Sequence, residues 1–190
     1  LGQAVENDAE YVFTYGATQS NHAMQTAAAC RKLGLKPVLY LLDFVDTDAS
    51  NCKGNLLLGK IFGAEVHIIK TLPDETLFDS KERYMAYARS HMQKLEAAGH
   101  KCYSVPLGGS NFIGTTGFVA GYVELEEQLA AEGITADFIF HANGSGGTMA
   151  GLAIGKKLLD SSTTIISVDA AEHSADFMDE MVELGNAALQ

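Results

Sequence analysis

Three short stretches carry residue types that could do chemistry. The first is Asn143-Gly144-Ser145-Gly146-Gly147-Thr148, which follows the apolar run Phe138-Ile139-Phe140. Its glycines can adopt positive φ and let backbone approach a ligand closely. Ser145 and Thr148 add hydroxyl groups, and a helix beginning here would add unpaired N–H groups and a favourable dipole. That combination suits a phosphate; the plainer alternative is a tight turn made of glycine for packing alone. The second stretch is Gln19-Ser20-Asn21-His22, where Ser20 or Asn21 can cap a following helix or, with the free N–H groups, clasp a carboxylate. The third, Gly108-Gly109-Ser110-Asn111, reads as a hinge or as the cap of the next helix.

Several other chemistries are excluded by what is missing around these residues. A P-loop ends in Gly-Lys-Ser/Thr, and the 143–148 turn contains no Lys. The dinucleotide fingerprint requires a third glycine where Met149 stands, although Gly151 is near and Asp169 could imitate the ribose-binding acid. A nucleotide-binding module of the NAD type therefore remains the alternative. No serine sits in a Gly-x-Ser-x-Gly elbow. The six histidines form no recognisable metal spacing, so no metal is expected. Cys30, Cys52 and Cys102 are scattered, which suits a reducing, cytoplasmic setting. The net charge of -11, without a Lys/Arg cluster, argues against nucleic acid. No apolar run is long enough to span a membrane, and no secretory signal is present.

The elements that must position these loops alternate along the chain. Strand-like runs occur at Tyr11–Tyr15, Pro37–Leu42, Glu65–Ile69, Cys102–Pro106, Asp137–His141 and Thr163–Val168. Helix-like stretches occur at His22–Leu33, Lys53–Phe62, Lys81–Ala98, Thr115–Ala131, Thr148–Leu159 and Ala175–Leu189. This alternation predicts βαβ units around parallel sheets in a three-layer α/β fold. Gly34, Gly63, Gly99 and Gly133 are placed as helix stops. In such folds ligands collect at the carboxyl ends of strands, where all three loops fall.

Taken together, these stretches resemble pyridoxal-phosphate enzymes of the tryptophan-synthase β fold (fold type II). Within that group the resemblance is to the 1-aminocyclopropane-1-carboxylate deaminase and D-cysteine desulfhydrase family. It is carried by Gln19-Ser20-Asn21-His22 with Gln25-Thr26-Ala27-Ala28, by Gly54-Asn55-Leu56-Leu57 with Gly63-Ala64-Glu65-Val66, by Pro106–Gly114, and by Gly144–Thr148. The resemblance implies pyridoxal 5'-phosphate as cofactor, with its phosphate held by Gly144, Ser145, Gly146, Gly147 and Thr148. It implies that Asn21 bonds the pyridine 3-oxygen. It also implies that Ser20, Asn21 and His22 receive the substrate carboxylate, with Ser20 assisting proton movement. His22 stands where the deaminases commonly carry Gln, which leans toward the desulfhydrase side. The implied reaction releases ammonia and a 2-oxo acid from a small amino acid, D-cysteine or 1-aminocyclopropane-1-carboxylate, and the implied assembly is a homodimer.

One departure matters. By the resemblance, the Schiff-base lysine lies in a Gly-Asn-Lys motif farther upstream of the Ser-Asn pair than the residues before Ser20 allow. Lys32, Lys53 and Lys156 stand in other contexts, and the role is carried onto none of them. The C-terminal segment that meets the pyridine nitrogen is also expected to be missing. The chain is thus expected to be a fragment, inactive alone, with a small domain at 1–105 and part of the large cofactor-binding domain at 106–190.

Overall fold

The computed structural model describes residues 1–189 apart from 49, 51, 76 and 171–174, and the chain divides into two compact units, Leu1–Leu107 and Gly108–Gln190. The first unit holds strands β1 (Tyr11–Ala17), β2 (Lys36–Asp43), β3 (Glu65–Lys70) and β4 (Cys102–Ser104) in the order β3-β2-β1-β4, all parallel. Its helices are α1 (Gly2–Glu6), α2 (Asn21–Leu33), α3 (Gly54–Ile61) and α4 (Leu77–Ala97).

The uninterrupted apolar run of β2 is explained by cover on both faces. Phe13, Tyr15, Val38, Tyr40 and Leu42 point to one face and bury against Tyr84 and Ala88 of α4. Leu39 and Leu41 point the other way, to Ala23 and Ala27 of α2 and Leu56 of α3. Val12 joins that second face with Ala4, Ala9 and Cys30. The result is three layers. At the end of α2, Gly34 takes a left-handed φ of 75°; its N–H donates back to the Arg31 carbonyl and the Leu35 N–H to the Cys30 carbonyl, which stops the helix where the sequence predicts.

Several element boundaries differ from expectation by a few residues, most of all the start of α4, and one short helix is not expected from the sequence. α4 begins at Leu77, not Lys81. Polar residues interrupt the apolar periodicity there, but they satisfy one another: buried Ser80 donates to Glu75, and Arg83 forms a two-pronged pair with the same carboxylate at 2.6 and 2.7 Å. α1 spans five residues, too short for periodicity to reveal.

The second unit contains parallel strands β5 (Phe138–Asn143) and β6 (Thr164–Asp169) with helices α5 (Phe112–Ala131), α6 (Gly147–Leu158) and α7 (Phe177–Ala188). Glycines bring α6 close to α5: a Cβ at Gly151 would lie 2.6 Å from the Thr115 carbonyl oxygen, and one at Gly155 would lie 2.6 Å from Tyr122 Cβ. On the strands, Phe138, Phe140 and Val168 are exposed. The register sets all three on one face, because Phe138 pairs with Thr164, Phe140 with Ile166 and Ala142 with Val168.

Candidate functional site: two helix N-termini at strand carboxyl ends

In the first unit, β1 ends at Ala17 and the chain turns through Thr18, Gln19 and Ser20 into α2. Ser20 is the N-cap, and its Oγ accepts from the Ala23 N–H at 3.2 Å. This cap requires Gly16, since a Cβ there would meet Ser20 Cβ at 2.6 Å and Oγ at 2.7 Å. The last turn of α2 carries Arg31 and Lys32, which complement the dipole, while the first turn has no acidic residue, so its positive end is left open to an anion.

A polar clamp fixes this loop to the start of α3. The Asn55 side-chain amide donates to Asn21 Oδ1 at 2.6 Å and to the Gln19 carbonyl at 3.0 Å. Gln19 Oε1 accepts from the Asn55 N–H at 2.9 Å, and its Nε2 donates to the Lys53 carbonyl. Gly54, at φ 55°, admits Gln19: a Cβ would lie 2.5 Å from Gln19 Oε1. With its Oδ1 engaged by Asn55, exposed Asn21 keeps its own amide N–H groups as donors.

His22 is held from beneath. The single Thr14 hydroxyl proton goes to the Val105 carbonyl at 3.1 Å, so Thr14 Oγ1 accepts from His22 Nε2–H at 2.8 Å. That assignment leaves His22 Nδ1 unprotonated, and burial pushes the imidazole below its ordinary pKa. At neutral pH His22 is therefore a neutral ring with an acceptor nitrogen.

In the second unit, β5 runs to Asn143, and the Gly-rich turn leads into α6 at Gly147. Gly146 occupies the N-cap with φ 85° and has no side chain to supply a capping bond. The first N–H groups of α6 are thus left for a ligand, with no acidic residue in the first turn and Lys156 and Lys157 in the last. Ser145 sits 2.5 Å from Ser110 Oγ, which bridges the 108–111 and 143–148 loops. Asn111 caps α5 by accepting from the Gly114 N–H at 2.8 Å. Gly108 faces Ser145, and a Cβ at Gly147 would meet Ser110 Oγ at 2.8 Å, so neither of these two glycines has room for a side chain while the serines hold their places.

Among the described residues, buried Asn143 Oδ1 and Ser167 Oγ have no hydrogen-bond partner. Both line a recess of about 330 Å³ at the carboxyl ends of β5 and β6, together with Met149, Asp169 and Met181. Such orphaned groups call for a polar occupant. The uncapped helix start, the positive-φ glycine and the hydroxyls fit a phosphate ester. One feature opposes it: Glu180 of α7 lines a neighbouring cavity of about 200 Å³ with Ser110 and Ser145.

Residues 3–186 match the family model described as pyridoxal-phosphate dependent enzyme. The chain belongs to the pyridoxal-phosphate dependent enzyme family. It is 34% identical over 98% of its length to a putative 1-aminocyclopropane-1-carboxylate deaminase of Pyrococcus furiosus, of which it covers 53%. It is 35% identical over 97% of its length to the D-cysteine desulfhydrase of Serratia proteamaculans, covering 54% of that protein. A crystal structure of a 1-aminocyclopropane-1-carboxylate deaminase homologue superposes with a TM-score of 0.81 at 34% identity, across 98% of this chain and 53% of that one. The chain therefore spans about half the length of the curated relatives it matches. The cofactor of the family is pyridoxal 5'-phosphate, and the α/β fold with parallel sheets is that of its fold-type II members. The NAD-type alternative is left without support.

The structure places Ser20, Asn21 and His22 together at one helix start, and Gly144–Thr148 together at another. Sequence reading gave no role to Asn55 or Thr14. Asn55 lies 34 residues from Asn21, and Thr14 sits inside an otherwise apolar strand, so neither announces itself locally. Among the described residues no helix is long and apolar enough to cross a membrane.

Proposed function

We propose that this chain supplies the carboxylate-binding and phosphate-binding loops of a pyridoxal-phosphate dependent deaminase or desulfhydrase acting on a small amino acid. The observation that carries the reading is the pair of anion-ready helix starts, Ser20–His22 after β1 and Gly146–Thr148 after β5. The relatives named 1-aminocyclopropane-1-carboxylate deaminase and D-cysteine desulfhydrase support the substrate class. In this reading the α6 N–H groups with Ser145 and Thr148 take the cofactor phosphate, and Asn21, oriented by Asn55, donates to the ring oxygen. Ser20 and the α2 N-terminus hold the substrate carboxylate.

The bound cofactor supplies an electron sink for the pair released when the substrate α-proton leaves or its ring bond opens. The protein contributes orientation. Ser20 Oγ has one proton to donate to a carboxylate oxygen while it still accepts from the Ala23 N–H, and the neutral His22 ring adds no competing charge. We further propose that the whole protein is a cytoplasmic homodimer, as the family resemblance implies.

Assays of the full-length gene product test the reading. D-cysteine is expected to yield sulfide, ammonia and a 2-oxo acid, or 1-aminocyclopropane-1-carboxylate to yield ammonia and a 2-oxo acid. A visible cofactor band should disappear on borohydride reduction. Ser20→Ala is expected to lower kcat/KM on the order of 10- to 100-fold, the worth of one hydrogen bond to a charged group. Turnover of neither substrate, with no cofactor band, overturns the proposal.

A further inference from the structure

A second cluster of chemistry-bearing side chains lies in the first unit, away from the loop described above. β3 is an edge strand, and its alternation sends Val66 and Ile68 to the α2–α3 core. Glu65, His67 and Ile69 therefore rise on the opposite face, where Ile69 packs with the α4 core. His67 stacks on Tyr40, the residue paired with it on β2, with ring centroids 4.4 Å apart and planes 13° apart. From α4, His91 approaches His67 edge-on at 5.3 Å.

The donor atoms converge. Glu65 Oε1 lies 2.7 Å from His67 Nε2 and 3.8 Å from His91 Nε2, and one ligand atom from each of the three residues lies within 4.8 Å of the others. The expectation of no metal rested on spacing along the chain, and that spacing could not register a pair on a strand meeting a third residue on the following helix. A tetrahedral ion with bonds of about 2.0–2.1 Å sets its donors about 3.4 Å apart. The two Glu65 distances straddle that value, and small side-chain rotations reach it.

We propose that Glu65, His67 and His91 form a divalent-metal site of the zinc class, binding through one carboxylate oxygen and two imidazole Nε2 atoms. The donor set, two imidazoles and a carboxylate, suits a borderline ion better than a hard one. Tyr40 supplies the outer support: its hydroxyl is 3.2 Å from His91 Nδ1, so that Nδ1–H donates to Tyr40 Oη when Nε2 holds the ion. The fourth position faces a recess of about 340 Å³ lined by Tyr87, Ser90 and Lys94. The Lys94 ammonium favours an anion such as hydroxide or chloride there. The ion would pin the sheet's edge strand to α4. It has no part in the proposed cofactor chemistry.

Zinc titration of the 190-residue chain, stripped of metal and free of cofactor, tests this. Competition against a chromophoric chelator should show one zinc per chain, and thermal unfolding should shift upward with added zinc. His67→Ala and His91→Ala should each weaken binding by about 100-fold or more, and Tyr40→Phe by about 10- to 100-fold. Glu65→Gln alters an exposed side chain and should weaken binding without disturbing the fold, which keeps the test decisive if a histidine variant fails to fold. No bound zinc in metal excess overturns the site. Equal affinity in wild type and the Glu65 variant, with the far-UV spectrum unchanged, does so too.

Discussion

At the scale of single residues, the first-unit loop depends on buried hydroxyls as much as on the side chains that face a ligand. Thr14 is fully buried and uses its one proton on Val105, so the His22 N–H has an acceptor only because Thr14 is a threonine. Thr14→Val keeps the shape but leaves the His22 N–H and the Val105 carbonyl without partners. The expected cost is about 1–3 kcal/mol, because a buried group left unsatisfied forfeits its desolvation. Urea unfolding should read it as a lower midpoint with unchanged slope. In the same variant, nitrogen NMR of His22 should lose the Nε2–H preference that Thr14 imposes. An unchanged tautomer would sink the assignment of Thr14 as acceptor.

At the scale of elements, the β3–α4 connection shows how a polar cluster can start a helix. Arg83 bonding, aided by the Ser80 hydroxyl and the Leu72 N–H, holds the Glu75 carboxyl at about 2 against an ordinary 4.5. The folded form is thus depressed relative to the unfolded one. Stability from this carboxylate is complete above about 4.5 and lost as pH falls toward 2. Glu75→Gln should lower the urea midpoint at neutral pH and flatten its decline between these values, so that the two proteins converge near the acid end. Parallel pH profiles would contradict the role given to the pair. The same cluster explains why α4 was legible only from Lys81 onward. Periodicity reads apolar stripes, and here Ser80 and Glu75 are paired polar groups at the helix start. The strands were legible because β2 and β5 are apolar runs bounded by Gly and Pro, and the cap at Ser20 because Ser-Asn opens a helix. The Asn55–Asn21 clamp and the Glu65–His67–His91 group were not, because each joins side chains from different elements.

At the scale of the whole molecule, the second unit presents a parallel pair of strands whose Phe138, Phe140 and Val168 are 57%, 67% and 54% exposed. Parallel strands are ordinarily covered on both faces. Here α6 packs against the strands while the phenylalanine face meets solvent, and both strands are also edges. Edges and contiguous apolar surface promote association between chains. Burying a phenylalanine side chain is worth about 1.5–3 kcal/mol, so two per chain supply a real driving force. The net charge of -11 opposes it, and salt screens that repulsion. The 190-residue chain should therefore associate more as concentration and ionic strength rise, with sedimentation showing the shift. Replacing Phe138 and Phe140 together by Thr should suppress association while leaving the far-UV spectrum intact, since neither side chain is in the packed core. Association that persists in the double variant would place the contact elsewhere, and a monomer at all concentrations would show that charge outweighs the exposed face.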